Sequence, residues 1–271
     1  MKLSVFFDHV VKAAEQQGIS LQEMLLRARM MGYTQVEMDF DALAAQPEIW
    51  EDLRTTGMEI SSIYCFFRFE QDSQQERRRA LVQEAVRVGA KKIMPIPGFY
   101  TTDDPAQREI ERSRMLMAMW ALMSEAQQAG IAVTIEDYDD EPSPIRNSEG
   151  MRHFLERLEG LLVTFDTGNF RYSCEKEEDA FAALKDKIVH VHLKDRTLQV
   201  HENEICKVAM DGTVMYPTPV GSGVVPMEWI FARLKEIGYD GSLVVEHFDS
   251  ADMQANMQAS AEFVKKHFVF G

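Results

Sequence analysis

Residues 161–196 read LLVTFDTGNFRYSCEKEEDAFAALKDKIVHVHLKDR. An apolar, β-branched run ends in Asp166 and gives way to a polar turn with Gly168. A helix-period stretch, EEDAFAALKDK, follows, and then a second run in which Val189 and Val191 alternate with His190 and His192. The pattern is strand, crossover helix, strand, the unit from which parallel sheets are built. The cadence continues outward in both directions. LSVFFDH, QVEMDF, EISSIYCFF, KKIMPIP and AVTIEDY precede it and SLVVEHFD follows it. With the two runs above they make about eight strands, the number a closed (β/α)8 barrel requires.

Helical patterns separate these runs: SLQEMLLRARMMG, PEIWEDLRTTG, SQQERRRALVQEAVRVG, AQREIERSRMLMAMWALMSEAQQAG, EGMRHFLERLEG, PMEWIFARLKEIG and ADMQANMQASAEFVKKHF. Several stop at Gly, the usual helix terminator. No Pro/Gly/Ser-rich linker divides the chain, so one α/β domain over residues 1–271, a (β/α)8 TIM barrel, is expected, with a doubly wound sheet as the alternative. The one irregular stretch runs from about 197 to 225. It is long for a connection between strand and helix, and Asp211-Gly212 reads as the turn of a small hairpin, so it is expected to form a lid.

The composition is that of an ordinary soluble globule, 45% hydrophobic and 27% charged. A formal net charge of -15 repels phosphate polyanions and anionic membranes, which disfavours nucleic acid and membrane partners. Cys65, Cys174 and Cys206 are odd in number and widely spaced, giving neither a disulfide framework nor a metal knuckle, so a reducing cytoplasm is the expected setting. The apolar start, LSVFFDHVV, is short and broken by Asp8 and His9 without a cleavage-site pattern, and no segment approaches the roughly 18 apolar residues of a membrane span.

In a barrel, the carboxyl ends of the strands face one cavity, so residues far apart in sequence can be inspected together. Here those positions hold Glu37, Glu136, Asp166, His192, Asp195, Glu246 and His247. Any one strand-end acid serves as readily as a helix cap or salt-bridge partner; the conjunction across four strands carries the argument. Three or four carboxylates in one cavity repel one another and lose hydration unless a cation neutralises them. Three carboxylates and an imidazole (Glu136, Asp166, His192, Glu246) form an oxygen-rich set that suits Mn2+ best, with Mg2+, Co2+, Fe2+ or Zn2+ compatible. His190 and His192 share a strand face, and His192, nearer the strand end, is the favoured ligand. His9, His153, His201 and His267 are placed outside the site. Tyr64, Phe66, Phe99 and Tyr100 lie where the apolar face of a sugar could rest.

AVTIEDY, VTFDTGNF, VHVHLKDR and PVGSGVVPMEWIFARLKEIGYDGSLVVEHF resemble the xylose isomerase-like sugar phosphate isomerase/epimerase superfamily over most of the chain. The resemblance implies one divalent metal on Glu136, Asp166, His192 and Glu246. It also implies substrate contacts from Asn169 and Arg196, with Lys194 and Asp195 shaping the wall. Similar proteins include ketose 3-epimerases, hydroxypyruvate isomerases, inosose dehydratases and apurinic endonucleases. The endonuclease branch carries extra histidines for a trinuclear zinc site; this chain has MPIPGFY in its third or fourth unit and Asn169 where that branch has a His. Asn169 also replaces a His used by some epimerases, and the acidic run EDYDDEPSP is unusual, which points to a changed substrate.

The implied activity is metal-dependent sugar isomerisation or epimerisation, with Glu136 and Glu246 moving a proton through an enediolate. A dehydratase using the same base and a noncatalytic sugar-binding barrel are the alternatives. The expected partner is a small sugar, polyol or keto acid, with a homodimer or homotetramer as the family expectation.

Overall fold

A computed structural model describes residues 2–248 and 250–268. Eight parallel strands close on themselves: β1 (Lys2–Phe6), β2 (Gln35–Asp39), β3 (Glu59–Phe66), β4 (Lys92–Ile96), β5 (Ala132–Glu136), β6 (Leu162–Asp166), β7 (Ile188–Thr197) and, last in the chain, β10 (Ser242–Glu246). Closure comes from β10, which pairs in parallel with β1 on one side, Leu3 opposite Leu243, and with β7 on the other, Val244 opposite His192. An open doubly wound sheet is thereby excluded. The run SLVVEHFD reaches Asp249, which lies outside the described residues.

Side chains at i and i+2 share a strand face, and the barrel sorts them accordingly. Apolar residues on the outer face, such as Val5, Val36, Ile93, Ile135, Val163, Val191 and Val245, are buried in the main hydrophobic core. The surrounding helices supply the other half of that core, for example Leu81 and Ala85 from α5 (Gln75–Val88), Met115 and Leu122 from α6 (Pro105–Gln128), and Ile230 and Leu234 from α9 (Met227–Glu236). Toward the open end the barrel lining adds a small apolar cluster of Phe6, Tyr64, Met94, Ile96 and Val244. Below it the lining is polar. Thr134 and Thr164 share a hydrogen bond of 2.8 Å, and Ser4 and Ser61 one of 2.9 Å. Burying these groups is tolerable because each finds a partner.

The remaining helices are α1 (Phe7–Gln17), α2 (Leu21–Met31), α3 (Phe40–Ala45), α4 (Ile49–Thr56), α7 (Ser148–Leu155), α8 (Glu177–Leu184) and α10 (Met253–His267). The expected first strand, LSVFFDH, is shorter than anticipated: the chain turns into α1 at Phe7, immediately after Phe6, with no side-chain cap. Among the described residues no helix is long and apolar enough to cross a membrane.

The irregular segment after β7 contains the expected hairpin. Strand β8 (Lys207–Val208) pairs antiparallel with β9 (Val214–Thr218), and the amide of Thr213 donates to Asp211 Oδ1 across the turn (2.9 Å). Gly212 there has a φ of 88°, a left-handed conformation that suits glycine. Strand β9 also pairs antiparallel with the end of β7, Asp195 opposite Thr218, so the hairpin extends the β7 wall above the barrel.

Candidate active site and metal centre

The ends of β5, β6 and β10 bring Glu136, Asp166 and Glu246 together with His192 from the middle of β7, one ligand atom from each lying within 4.8 Å of the others, all four residues buried. His192 sits at the centre. Its Nδ1 is 2.5 Å from Glu136 Oε1 and 3.5 Å from Glu246 Oε2. The DTGN turn explains how Asp166 is presented. Its Oδ1 accepts the amide hydrogens of Gly168 and Asn169, 2.7 Å each, which starts the 3-10 helix Asn169–Ser173. Its Oδ2 is buried with no hydrogen-bond partner among the described residues. Gly168 is required here because an added Cβ would lie 2.7 Å from the carbonyl oxygen of Lys194.

These residues fit a divalent cation. One buried carboxylate oxygen is orphaned and aimed at three further donors, an arrangement that is costly without a positive charge to satisfy it. Burial raises the pKa of Glu136 and Asp166 above the usual carboxylate value, opposed by His192 at the first and Lys194 at the second. Burial also pushes Glu246 up to about 7, against the pull of Lys194.

Lys194 is the ammonium of this cluster. Its Nζ donates to Glu246 Oε1 and to Asn169 Oδ1, both at 2.6 Å, and lies 3.7 Å from Asp166 Oδ2. Burial disfavours its charge, but Asp166 and Glu246 outweigh burial and hold it well above the ordinary lysine range. Glu246 therefore turns one oxygen toward His192 and the other toward Lys194. Asn169 spends its amide on the protein, accepting from Lys194 and donating from Nδ2 to the carbonyl of Asp137 (2.7 Å), so it braces Lys194 against the end of β5.

Behind His192 lies an array that the strand-end reading only touched. Glu37 Oε2 meets His192 Nε2 at 3.1 Å and His190 Nε2 at 2.6 Å, and His190 Nδ1 meets Lys92 Nζ at 2.8 Å. Both histidines point inward, as their spacing requires. Burial pushes Glu37 upward, yet the two imidazoles more than reverse it and keep the carboxylate ionised. Glu136 and Glu37 outweigh burial and hold His192 well above the ordinary histidine range; with Glu37 at Nε2, Nδ1 is the nitrogen that faces Glu136 and Glu246 and that would be offered to a metal.

Above the cluster is a cavity of about 370 Å³, lined among others by Glu136, Glu246, Asn169, Lys194, Arg196 and Tyr64. Tyr64 donates its hydroxyl to Asp8 Oδ2 (2.6 Å). Phe99 stands back, packed on the ring of Tyr138 at 5.3 Å, and Tyr138 takes the wall position. Phe6, Phe248, Tyr138 and Lys207 line the cavity without having been singled out in sequence. The signals existed for two of them: Phe6 ends β1, and Tyr138 lies two residues after Glu136. Asp195 faces the other way. Its carboxylate accepts from the amides of Arg196 (2.8 Å), Gly221 (2.9 Å), Gly223 (3.0 Å) and Val225 (3.2 Å), anchoring the loop that returns from the hairpin.

The closed (β/α)8 barrel agrees with what comparison with known proteins shows. Residues 25–267 match the family model described as the xylose isomerase-like TIM barrel, and the chain belongs to that family. Among curated proteins it is similar to an inosose dehydratase of Lacticaseibacillus casei, 33% identical over 88 residues; the match spans 31% of this chain and 29% of that protein. Among solved structures, the IOLI protein with a bound zinc atom superposes with a TM-score of 0.75 at 15% identity, covering 100% of both chains. L-ribulose 3-epimerase gives a TM-score of 0.74 at 16% identity, covering 98% of this chain and 94% of its own. At such identities the structural likeness concerns the fold.

Proposed function

We propose that the chain is a divalent-metal-dependent sugar isomerase or epimerase that moves a proton on the carbon beside a carbonyl. The observation that carries this reading is the convergence of two carboxylates, Glu136 and Glu246, on one imidazole nitrogen at the floor of a sugar-sized cavity. Glu136, Asp166, His192 and Glu246 would hold the cation, which supplies Lewis acidity to the carbonyl when bound. Mn2+ is the first choice for such an oxygen-rich set, with Mg2+, Co2+, Fe2+ and Zn2+ as the other candidates. The bound zinc of the IOLI structure supports a divalent cation in this fold.

The chain's own groups then do the following. Glu136 and Glu246 belong to strands β5 and β10, which are not neighbours in the barrel, and so approach the substrate from separate directions. One removes the proton and the other returns one. Return to the opposite face of the same carbon gives an epimer; return to the adjacent carbon gives an aldose-ketose pair. Lys194 fixes Glu246 by its 2.6 Å contact, and His192 fixes Glu136. Lys194, Asn169 and Arg196 form the polar side of the substrate wall, Tyr64 and Tyr138 the aromatic side, with Phe99 supporting Tyr138 from behind.

The inosose dehydratase relative favours a second reading, in which the same proton removal is followed by loss of a neighbouring hydroxyl as water. Product analysis separates the two. An isomer keeps the substrate's mass, whereas dehydration lowers it by one water; a product that has lost water overturns the isomerase reading. Glu246→Gln is expected to retain the fold and lose turnover by about a hundredfold or more, and unchanged turnover would remove Glu246 from the mechanism. A dimer or tetramer belongs to the same proposal, with Met117 and Trp120 exposed on α6 as its candidate contact, and sedimentation gives the state.

A further inference from the structure

The barrel ends unevenly around Glu246. On the β7 side, β10 stays paired through Glu246 itself, opposite Lys194. On the β1 side the pairing stops one residue earlier, Val5 opposite Val245, because the chain turns into α1 at Phe7. The amide of His247 lies beyond the last pair on that side, and it donates instead to Nε2 of His9, at 2.7 Å. A buried backbone N–H needs an acceptor. His9, 1% exposed in the first turn of α1, supplies it. Burial holds this imidazole well below the ordinary histidine range, with His247, Lys194 and Arg196 acting in the same direction, so Nε2 keeps its lone pair.

The same ring packs edge-on against Phe248 of the cavity wall, with centroids 4.7 Å apart, and lies 5.5 Å from Phe6, whose ring meets that of His192 at 4.9 Å. On the far side, His247 Nε2 shares a hydrogen bond of 2.8 Å with Ser260 Oγ of α10, and that oxygen accepts the amide of Val220 (2.9 Å). Glu246 is thus followed by a residue fixed through its backbone to α1 and through its side chain to α10. From sequence His9 falls outside the site; the structure seats it against the residue that follows Glu246. We propose that His9 is a positioning residue for Glu246 and Phe248. Its imidazole takes the place of the missing strand partner and holds the exit of β10, so that Glu246 keeps one oxygen toward Lys194 and the other toward His192. It acts through the His247 backbone rather than on the substrate. The consequence for the site rests on the reading of Glu246 as a metal ligand, where small displacements weaken binding.

Two variants separate a hydrogen-bond acceptor from a packing block. His9→Gln keeps a side-chain oxygen able to accept the His247 amide, while His9→Leu keeps apolar bulk and leaves that amide unpaired. Calorimetric titration with Mn2+ should show affinity about tenfold lower in His9→Leu and close to wild type in His9→Gln. Hydrogen exchange by mass spectrometry on the metal-free proteins should be faster over residues 242–248 in His9→Leu and restored in His9→Gln, with β3 to β6 unchanged in both. The reverse order, with His9→Gln the weaker variant, assigns packing and overturns the proposal. Wild-type affinity and protection in His9→Leu overturn it as well. Should His9→Leu not fold, His9→Gln decides: wild-type affinity and protection support the acceptor, and loss of either in a protein that melts as wild type does overturns it. The metal reading stands or falls separately. If the wild-type protein binds no Mn2+, that reading fails, and exchange over residues 242–248 alone decides whether His9 holds the end of β10.

Discussion

The two oxygens of Asp166 have separate duties. Oδ1 takes two amides and starts the turn, while Oδ2 has no hydrogen-bond partner among the described residues and lies 3.7 Å from the Lys194 ammonium. Asp166→Asn retains an oxygen for the turn and removes the charge, so the expected result is weakened Mn2+ binding with melting behaviour close to wild type. Asp166→Ala should lose both. Calorimetry and thermal melts together read the difference, and equal metal affinity in Asp166→Asn would contradict the assignment. Glu37 acts one step further away. Glu37→Gln leaves a neutral group against His192 Nε2, and Mn2+ affinity should fall by about 10- to 100-fold; an unchanged affinity would show that Glu37 does not orient His192. At this scale the sequence was legible wherever a strand ended in an acid or a histidine, because strand order fixes where such ends meet. Partner choice was not. That Asn169 spends its amide on Lys194 and Asp137, and that Asp195 turns away to four backbone amides, depends on how loops pack back on β7.

Among the elements, the segment from β7 through the hairpin to α9 hangs on Asp195. A charged acceptor with several backbone donors contributes about 1.5–3 kcal/mol per strong bond, so Asp195→Ala should loosen residues 219–225 selectively. Hydrogen exchange by mass spectrometry reads it: faster exchange there with unchanged exchange in β1 to β6 is expected, and uniform protection would contradict it. Gly223 is part of the same contact, since an added Cβ would lie 2.2 Å from both the Arg196 carbonyl oxygen and Asp195 Oδ1. Gly223 is thus explained by close approach to β7, and Gly221 by α10, where an added Cβ would lie 2.2 Å from the Phe263 ring. The hairpin was readable from its Asp-Gly turn. Helix α1 was not, for it begins directly at the end of β1 without a capping side chain. Helix α3 offered a cap, Asp39 accepting from Ala42 N at 2.8 Å, but is only six residues long.

For the molecule as a whole, the closed barrel follows from repetition: eight runs of the same kind separated by helices leave few ways to bury both sides of every strand. A metal held at the proposed site would couple to that fold. A cation at about 100 times its dissociation constant adds about 2.7 kcal/mol, so Mn2+ should raise the melting temperature by roughly 5 °C or more and a chelator should reverse it. An unchanged melting temperature would argue against a tight site. The central claim, that this site removes a proton from carbon, is tested most directly by NMR in deuterated water. The Mn2+-loaded protein is incubated with ketoses, aldoses and hydroxy-keto acids, then stripped of metal before spectra are recorded, with a parallel series kept in chelator throughout. Deuterium appearing at a carbon beside a carbonyl only in the metal-loaded series is the result expected; no incorporation across the panel would contradict it.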